Sequence, residues 1–165
     1  MDVSTFYALF SATCFTLTGL WWTVVERHRG TWLRDPATRR RVGSVYLAFL
    51  LPALMGLFAQ IGGTENPAFW RVSFVTISVV GCVSTVRLLR GSRNDVGAGL
   101  IARHWWGAAV VYAVVAVVGA APAIVRPLGV SPLQAAATLL VLLVALAHAL
   151  VWEFMAHELP ERSGD

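Results

Sequence analysis

The chain has 165 residues, 57% hydrophobic and 13% charged, with a mean hydropathy of +0.67. A soluble domain carries about 25% charged residues, so this chain has too few to clothe a water-facing surface and is expected to fold in lipid. Its formal charge of +4 does not indicate nucleic acid, because the basic residues, all arginine, flank apolar runs, where they act as topology signals and headgroup contacts.

Five apolar segments are long enough for a helix across about 30 Å of hydrocarbon. The first, 4–26, carries Thr5, Ala12, Thr16, Gly19 and Thr23 on one face. It lacks a basic leader and is long enough to stay in the membrane, so it reads as a span and not as a cleaved signal. The loop "RHRGTWLRDPATRRR" follows, with six arginines. The second span, 42–61, contains Pro52 and Gly56, and the proline predicts a kink.

The turn "GGTENP" leads to the third span, 68–90. It carries two polar stripes: Ser73, Thr76, Ser84 and Arg87, and separately Arg71, Ser78, Cys82 and Thr85. The fourth span, 104–125, has a face of small residues, Ala109, Ala113, Ala116 and Ala120 with Gly119 and Ala123 beside it. Such spacing lets helices approach closely. The loop "RPLGVSP" leads to the fifth span, 132–157. Gln134, Thr138, Ala145, His148 and Trp152 share one side of it, and leucines cover the rest, which reads as a polar stripe opposite a lipid side.

The arginines set the expected orientation. The loops after the first and third spans hold six and four; the other side has only Arg71 and Arg126. The positive-inside rule places the two rich loops in the cytoplasm and the N-terminus outside. Five spans then leave the C-terminus inside. Trp21, Trp22, Trp32, Trp105, Trp106 and Trp152 fall toward the same cytoplasmic interface, where indole rings prefer to sit. The expected fold is all-α: one domain over 1–165, a compact bundle of five transmembrane helices in the cell (plasma or inner) membrane.

His148 is the sharpest candidate site residue, because an ionisable group amid apolar neighbours is costly unless it faces protein or water. Three roles are open. It can be a neutral core histidine bonded to a neighbouring helix. It can be a proton-linked group, since an unperturbed imidazole titrates near pH 6.5. It can be a ligand, although no second histidine lies at its depth unless a symmetric oligomer supplies one. Thr138, Gln134, Thr16, Thr23, Ser73 and Thr76 are candidate pore-lining residues with it. Hydroxyl and small faces also serve as plain helix–helix seams.

A second candidate set sits at the cytoplasmic edge. Glu153 and His157 are four apart on one helix face, and His28 and His104 end or begin other spans. Imidazole with carboxylate is a zinc-type donor set. The competing reading is a layer of interfacial charges paired with arginines, and no ordered metal motif such as HExxH is present. Cys14 and Cys82 read as small core residues, with no CxxC and no disulfide framework. Arg87, Arg90 and Arg93 have voltage-sensor spacing but run out of the membrane. No potassium-filter sequence, phosphate loop, nucleophile elbow or dinucleotide fingerprint occurs.

In size, helix number and tryptophan content the chain resembles the tryptophan-rich sensory (translocator) proteins, which implies a site for a porphyrin or sterol. The loop between its first two spans is arginine-rich where that family's is rich in proline and tryptophan, and no functional residue carries over. The expected function is a small channel or carrier subunit, not an enzyme and without a cofactor. It would work as a homo-oligomer and move an ion or proton along hydroxyl-lined faces, with anionic headgroups at its arginine-rich loops. A non-catalytic accessory subunit of a larger membrane complex, or a lipid- or porphyrin-binding protein, stands beside it.

Overall fold

The computed structural model describes residues 2–62, 67–92 and 99–158. Among these there is no strand. The elements are α1 (Val3–Arg27), a single-turn α2 (Arg29–Trp32), α3 (Pro36–Gly62), α4 (Pro67–Ser92), α5 (Gly99–Ala120), a 3₁₀ segment (Pro122–Leu128) and α6 (Pro132–Glu158). Four to five of these helices are apolar and long enough to cross a membrane.

Three boundaries differ from the sequence reading: α5 starts at Gly99 and not at 104, and the other two have local causes. The second span starts at Pro36, not at 42, and its first turn recruits part of the arginine-rich loop. Asp35 explains this: its carboxylate accepts hydrogen bonds from the Thr38 amide and hydroxyl, both 2.7 Å. That is an N-cap, and Pro36 behind it is pre-set for the first helical position. The fourth span ends at Ala120, and 122–125 lie in the 3₁₀ segment. Pro122 disfavours α-helical geometry for the residue before it, which stops α5 there. The chain then turns through Gly129, whose φ of 67° suits glycine. The helix at Pro52 continues unbroken through the proline, whose ring is fully buried.

Helix α3 is the hub. It packs on α1, α4 and α6, while α5 closes the ring between α4 and α6. Buried residues make up 56% of the most apolar window of α3, against 28% in α1, α4 and α6. Helices α1 and α6 run parallel, because they meet near both ends. The Tyr7 hydroxyl donates to the Leu133 carbonyl (2.7 Å) near their starts, and Trp21 meets Phe154 edge-on near their ends.

The buried face of α1 is Tyr7, Ser11, Cys14, Thr18, Trp21 and Val25. Steps of four and three residues alternate along it, the spacing of a helix–helix seam. Two glycines set distances. A Cβ at Gly56 would collide with the Ser11 hydroxyl, and one at Gly81 would lie 2.6–2.7 Å from the Tyr112 ring. Glycine there lets α1 close on α3, and α5 on α4. Arg71 of α4 ties off the end of α5, donating to the Gly119 and Ala120 carbonyls at 3.0 and 2.7 Å. It thereby satisfies two terminal acceptors at the negative end of the helix dipole.

Candidate functional site

Helix α6 is turned the other way from the sequence expectation. Ala136, Leu140, Leu143, Ala147, Leu150 and Phe154 are buried. Gln134, Thr138, Ala145, His148 and Trp152 are exposed, Trp152 at 78%. Of the leucines expected to face lipid, Leu143 and Leu150 are buried in the bundle, Leu139 and Leu146 are half-buried and Leu142 is exposed, while the polar stripe faces out. The physical reason is that lipid is as apolar as leucine, so burial in a membrane follows packing and not hydrophobicity. The inward residues, Ala136, Leu140, Leu143, Ala147, Leu150 and Phe154, are spaced four and three apart along α6.

His148 is therefore not a core histidine of a single chain. Its Nδ1 lies 2.8 Å from the Val144 carbonyl. A carbonyl only accepts, so this contact as a hydrogen bond requires the proton on Nδ1, and no partner for Nε2 is present among the described residues. The ring stands edge-on to Phe49 of α3, centroids 5.3 Å apart. Thr138 is exposed and donates to the Gln134 carbonyl at 3.2 Å. Gln134 is committed to starting the helix. Its side-chain oxygen accepts from the Ser131 amide, and its own amide donates to the Ser131 hydroxyl, both at 3.2 Å. This is a capping box with proline at the first helical position.

The other pore candidates behave alike. Thr16 donates to Ala12 (2.9 Å), Thr23 to Gly19 (3.1 Å) and Ser73 to Phe69 (2.9 Å), each one turn back on its own helix. Thr16, Thr23 and Thr76 are exposed and Ser73 is half-buried. None of the seven polar candidates lies in the interior of the chain. The small face of α5 divides: Ala109 and Gly119 are buried, while Ala113 and Ala120 are exposed.

The interior polar groups are different residues. Ser11, Thr18, Ser44, Ser78 and Thr85 are buried. Thr18 and Thr85 bond back to Cys14 and Gly81, each one turn before. The Ser11 and Ser78 hydroxyls have no hydrogen-bond partner among the described residues. A cavity of about 30 Å³ lies among α3, α4, α5 and α6, with Ser44, Ser84, Thr85 and Tyr112 on its wall. It has room for a water molecule but is far below the several hundred Å³ of a drug-sized ligand pocket, so it cannot take a porphyrin. The sequence offered a signal for Tyr7, Ser11 and Thr18 in the sevenfold repeats 7, 14, 21 and 11, 18, 25.

Of the edge set, the side chains of His28 and Glu153 are among the described residues. His28 stacks on Trp32 with centroids 4.4 Å apart, and its Nδ1 lies 3.0 Å from the Val24 carbonyl. Trp32 also stacks on Trp21 and meets Phe154 edge-on at 4.9 Å. This aromatic cluster draws the end of α1, α2 and the end of α6 together, with half-buried Glu153 next to Phe154. The side chains of His104 and His157 lie outside the described residues. Among the described residues no three of His, Cys, Asp and Glu come together. Arg29 pairs with Glu26 at 3.7 Å across an exposed turn. Asp35 is held below the usual carboxylate range, chiefly by the Thr38 amide and then by the Thr38 hydroxyl.

Compared with known protein families, with characterised proteins and with solved structures, the chain matches none.

Proposed function

We propose that the protein is a small channel or carrier subunit of the cell membrane, non-enzymatic, whose path for an ion or proton runs between chains and not through one. The observation that carries this reading is the outward polar face of α6. Gln134, Thr138 and His148 are exposed on it, and polar groups in a membrane are expensive unless they meet protein or water. Thr16 and Thr23 of α1 add outward hydroxyls. The arginines of 27–41 would lie on the cytoplasmic side among anionic headgroups, with the N-terminus outside.

A non-catalytic accessory subunit of a larger membrane complex is the second reading. It is favoured by a cavity among α3, α4, α5 and α6 of only about 30 Å³, room for about one water, and by hydroxyls that satisfy themselves on their own helices.

The test is flux through liposomes holding the purified chain, read with a pH-sensitive dye under an imposed potential, for wild type and His148→Ala. Flux that changes in rate or pH dependence with the substitution supports a path past His148. Flux indifferent to it removes His148 from the path. No flux of any tested ion from folded protein overturns the channel reading and leaves the accessory one.

A further inference from the structure

The proline of α3 deprives a carbonyl of its helical donor. Pro52 lies inside the helix and is fully buried. It has no N–H, so the bond it would give the Ala48 carbonyl, one turn back, is not made. Lipid offers no donor in its place, so such a carbonyl has to be met by protein or by water. Ala48 stands on the wall of the cavity among α3, α4, α5 and α6.

The hydroxyls on the same wall are of two kinds. Ser44 and Thr85 spend their protons on the Arg41 and Gly81 carbonyls, so toward the cavity their oxygens can only accept. Tyr112 and Ser84 are the reverse. Neither hydroxyl has a hydrogen-bond partner among the described residues, and Tyr112 is only 4% exposed. Each has a proton to give. The Tyr112 ring is held against Gly81, one turn before Thr85, which sets the phenol against the helix that carries Ser84 and Thr85.

We propose that this cavity is the binding site of one water molecule. It goes beyond the channel reading and holds whether or not the protein conducts. The volume of about 30 Å³ matches the share of one water in the liquid, roughly 30 Å³. The wall needs a ligand that both donates and accepts. Water donates to the Ala48 carbonyl and to a Ser44 or Thr85 oxygen, and accepts from Tyr112 and Ser84. A buried water makes about three such bonds. The described wall carries no charged side chain, so an ion there would stand uncompensated in the membrane, and the ligand is neutral. The water closes the gap that Pro52 opens in α3 and ties that helix to α4 and α5.

The test is water-edited solid-state NMR of the full chain in bilayers, which times the passage of magnetisation from water protons to carbon sites. Transfer to the Tyr112 ring and the Ala48 carbonyl is expected well ahead of transfer to Thr18 and Phe74, which are buried off this wall. Thermal unfolding supplies an independent readout. Beside a dry cavity the Tyr112 hydroxyl is an unmet buried group, and Tyr112→Phe raises the melting temperature. Beside a bound water the same change breaks a hydrogen bond and lowers it by roughly 2–4 °C. Transfer to Tyr112 and Ala48 no faster than to Thr18 and Phe74, or a melting temperature raised or unmoved by Tyr112→Phe, overturns the proposal.

Discussion

Replacing Gly81 with alanine tests what sets the spacing of α4 and α5. The added Cβ would sit 2.6–2.7 Å from three ring atoms of Tyr112. Carbon atoms rest at about 3.5–4.0 Å, so the helices must part by roughly 1 Å or the ring must move. The ring has little freedom, being only 4% exposed. Overpacking of this kind costs about 1–3 kcal/mol. Alanine also gains helix propensity over glycine, about 0.8–1 kcal/mol, which hides part of the clash. Gly43→Ala isolates it. Gly43 lies within α3 with nothing within 4 Å of its added Cβ, so there the propensity gain acts alone. The two variants should differ in stability by about 1–3 kcal/mol, the strain term by itself. Thermal unfolding in detergent reads this as roughly 2–4 °C for each kcal/mol in a chain of this size. Tyr112→Leu should cost less beside Gly81→Ala than alone, because it opens the space the new methyl needs. If Gly81→Ala and Gly43→Ala stabilise equally, Gly81 does not set the approach of the two helices and the packing argument fails.

Arg71→Met should destabilise by about 1–3 kcal/mol, since it strips charge-assisted hydrogen bonds from the Gly119 and Ala120 carbonyls. Hydrogen exchange should show the loss as faster exchange in the last turn of α5, and unchanged protection there would refute the capping role. Asp35 predicts an acid-side effect. Its folded-state pKa is lowered by Thr38, so its contribution is complete above the unfolded value of about 3.9 and is lost as pH falls through the lowered folded value. Asp35→Asn keeps an N-cap without the charge, and should flatten that part of the pH–stability curve; an identical slope in wild type and variant would contradict it.

The start of α3 is legible in the sequence. Asp35, Pro36 and Thr38 spell a helix cap, set among six arginines in fifteen residues whose charge alone predicts a loop. The end of α5 was written in Pro122 in the same way. Ser131, Pro132 and Gln134 likewise spell a start signal, so a glutamine that reads as a pore residue from its place on the helical wheel is fully explained, at its oxygen, by the cap. The aromatic cluster of Trp21, Trp32, His28 and Phe154 was not legible, because it joins residues more than a hundred positions apart.

Composition alone pointed to lipid as the solvent. With 13% charge in 165 residues, the backbone must satisfy itself in lipid, and helices follow. Glycine, proline and the capping side chains determined where those helices stop. Which face of each helix turns inward was decided only by the tertiary structure. In water an apolar stripe identifies the core, but in lipid both sides of a helix are at home, and the difference between Leu143 and Ala145 is one of shape. Leu140, Leu143 and Leu150 went inward, because packing and not polarity decides burial in lipid, and His148 stayed on the outer side with its Nδ1 at the Val144 carbonyl and its ring edge-on to Phe49.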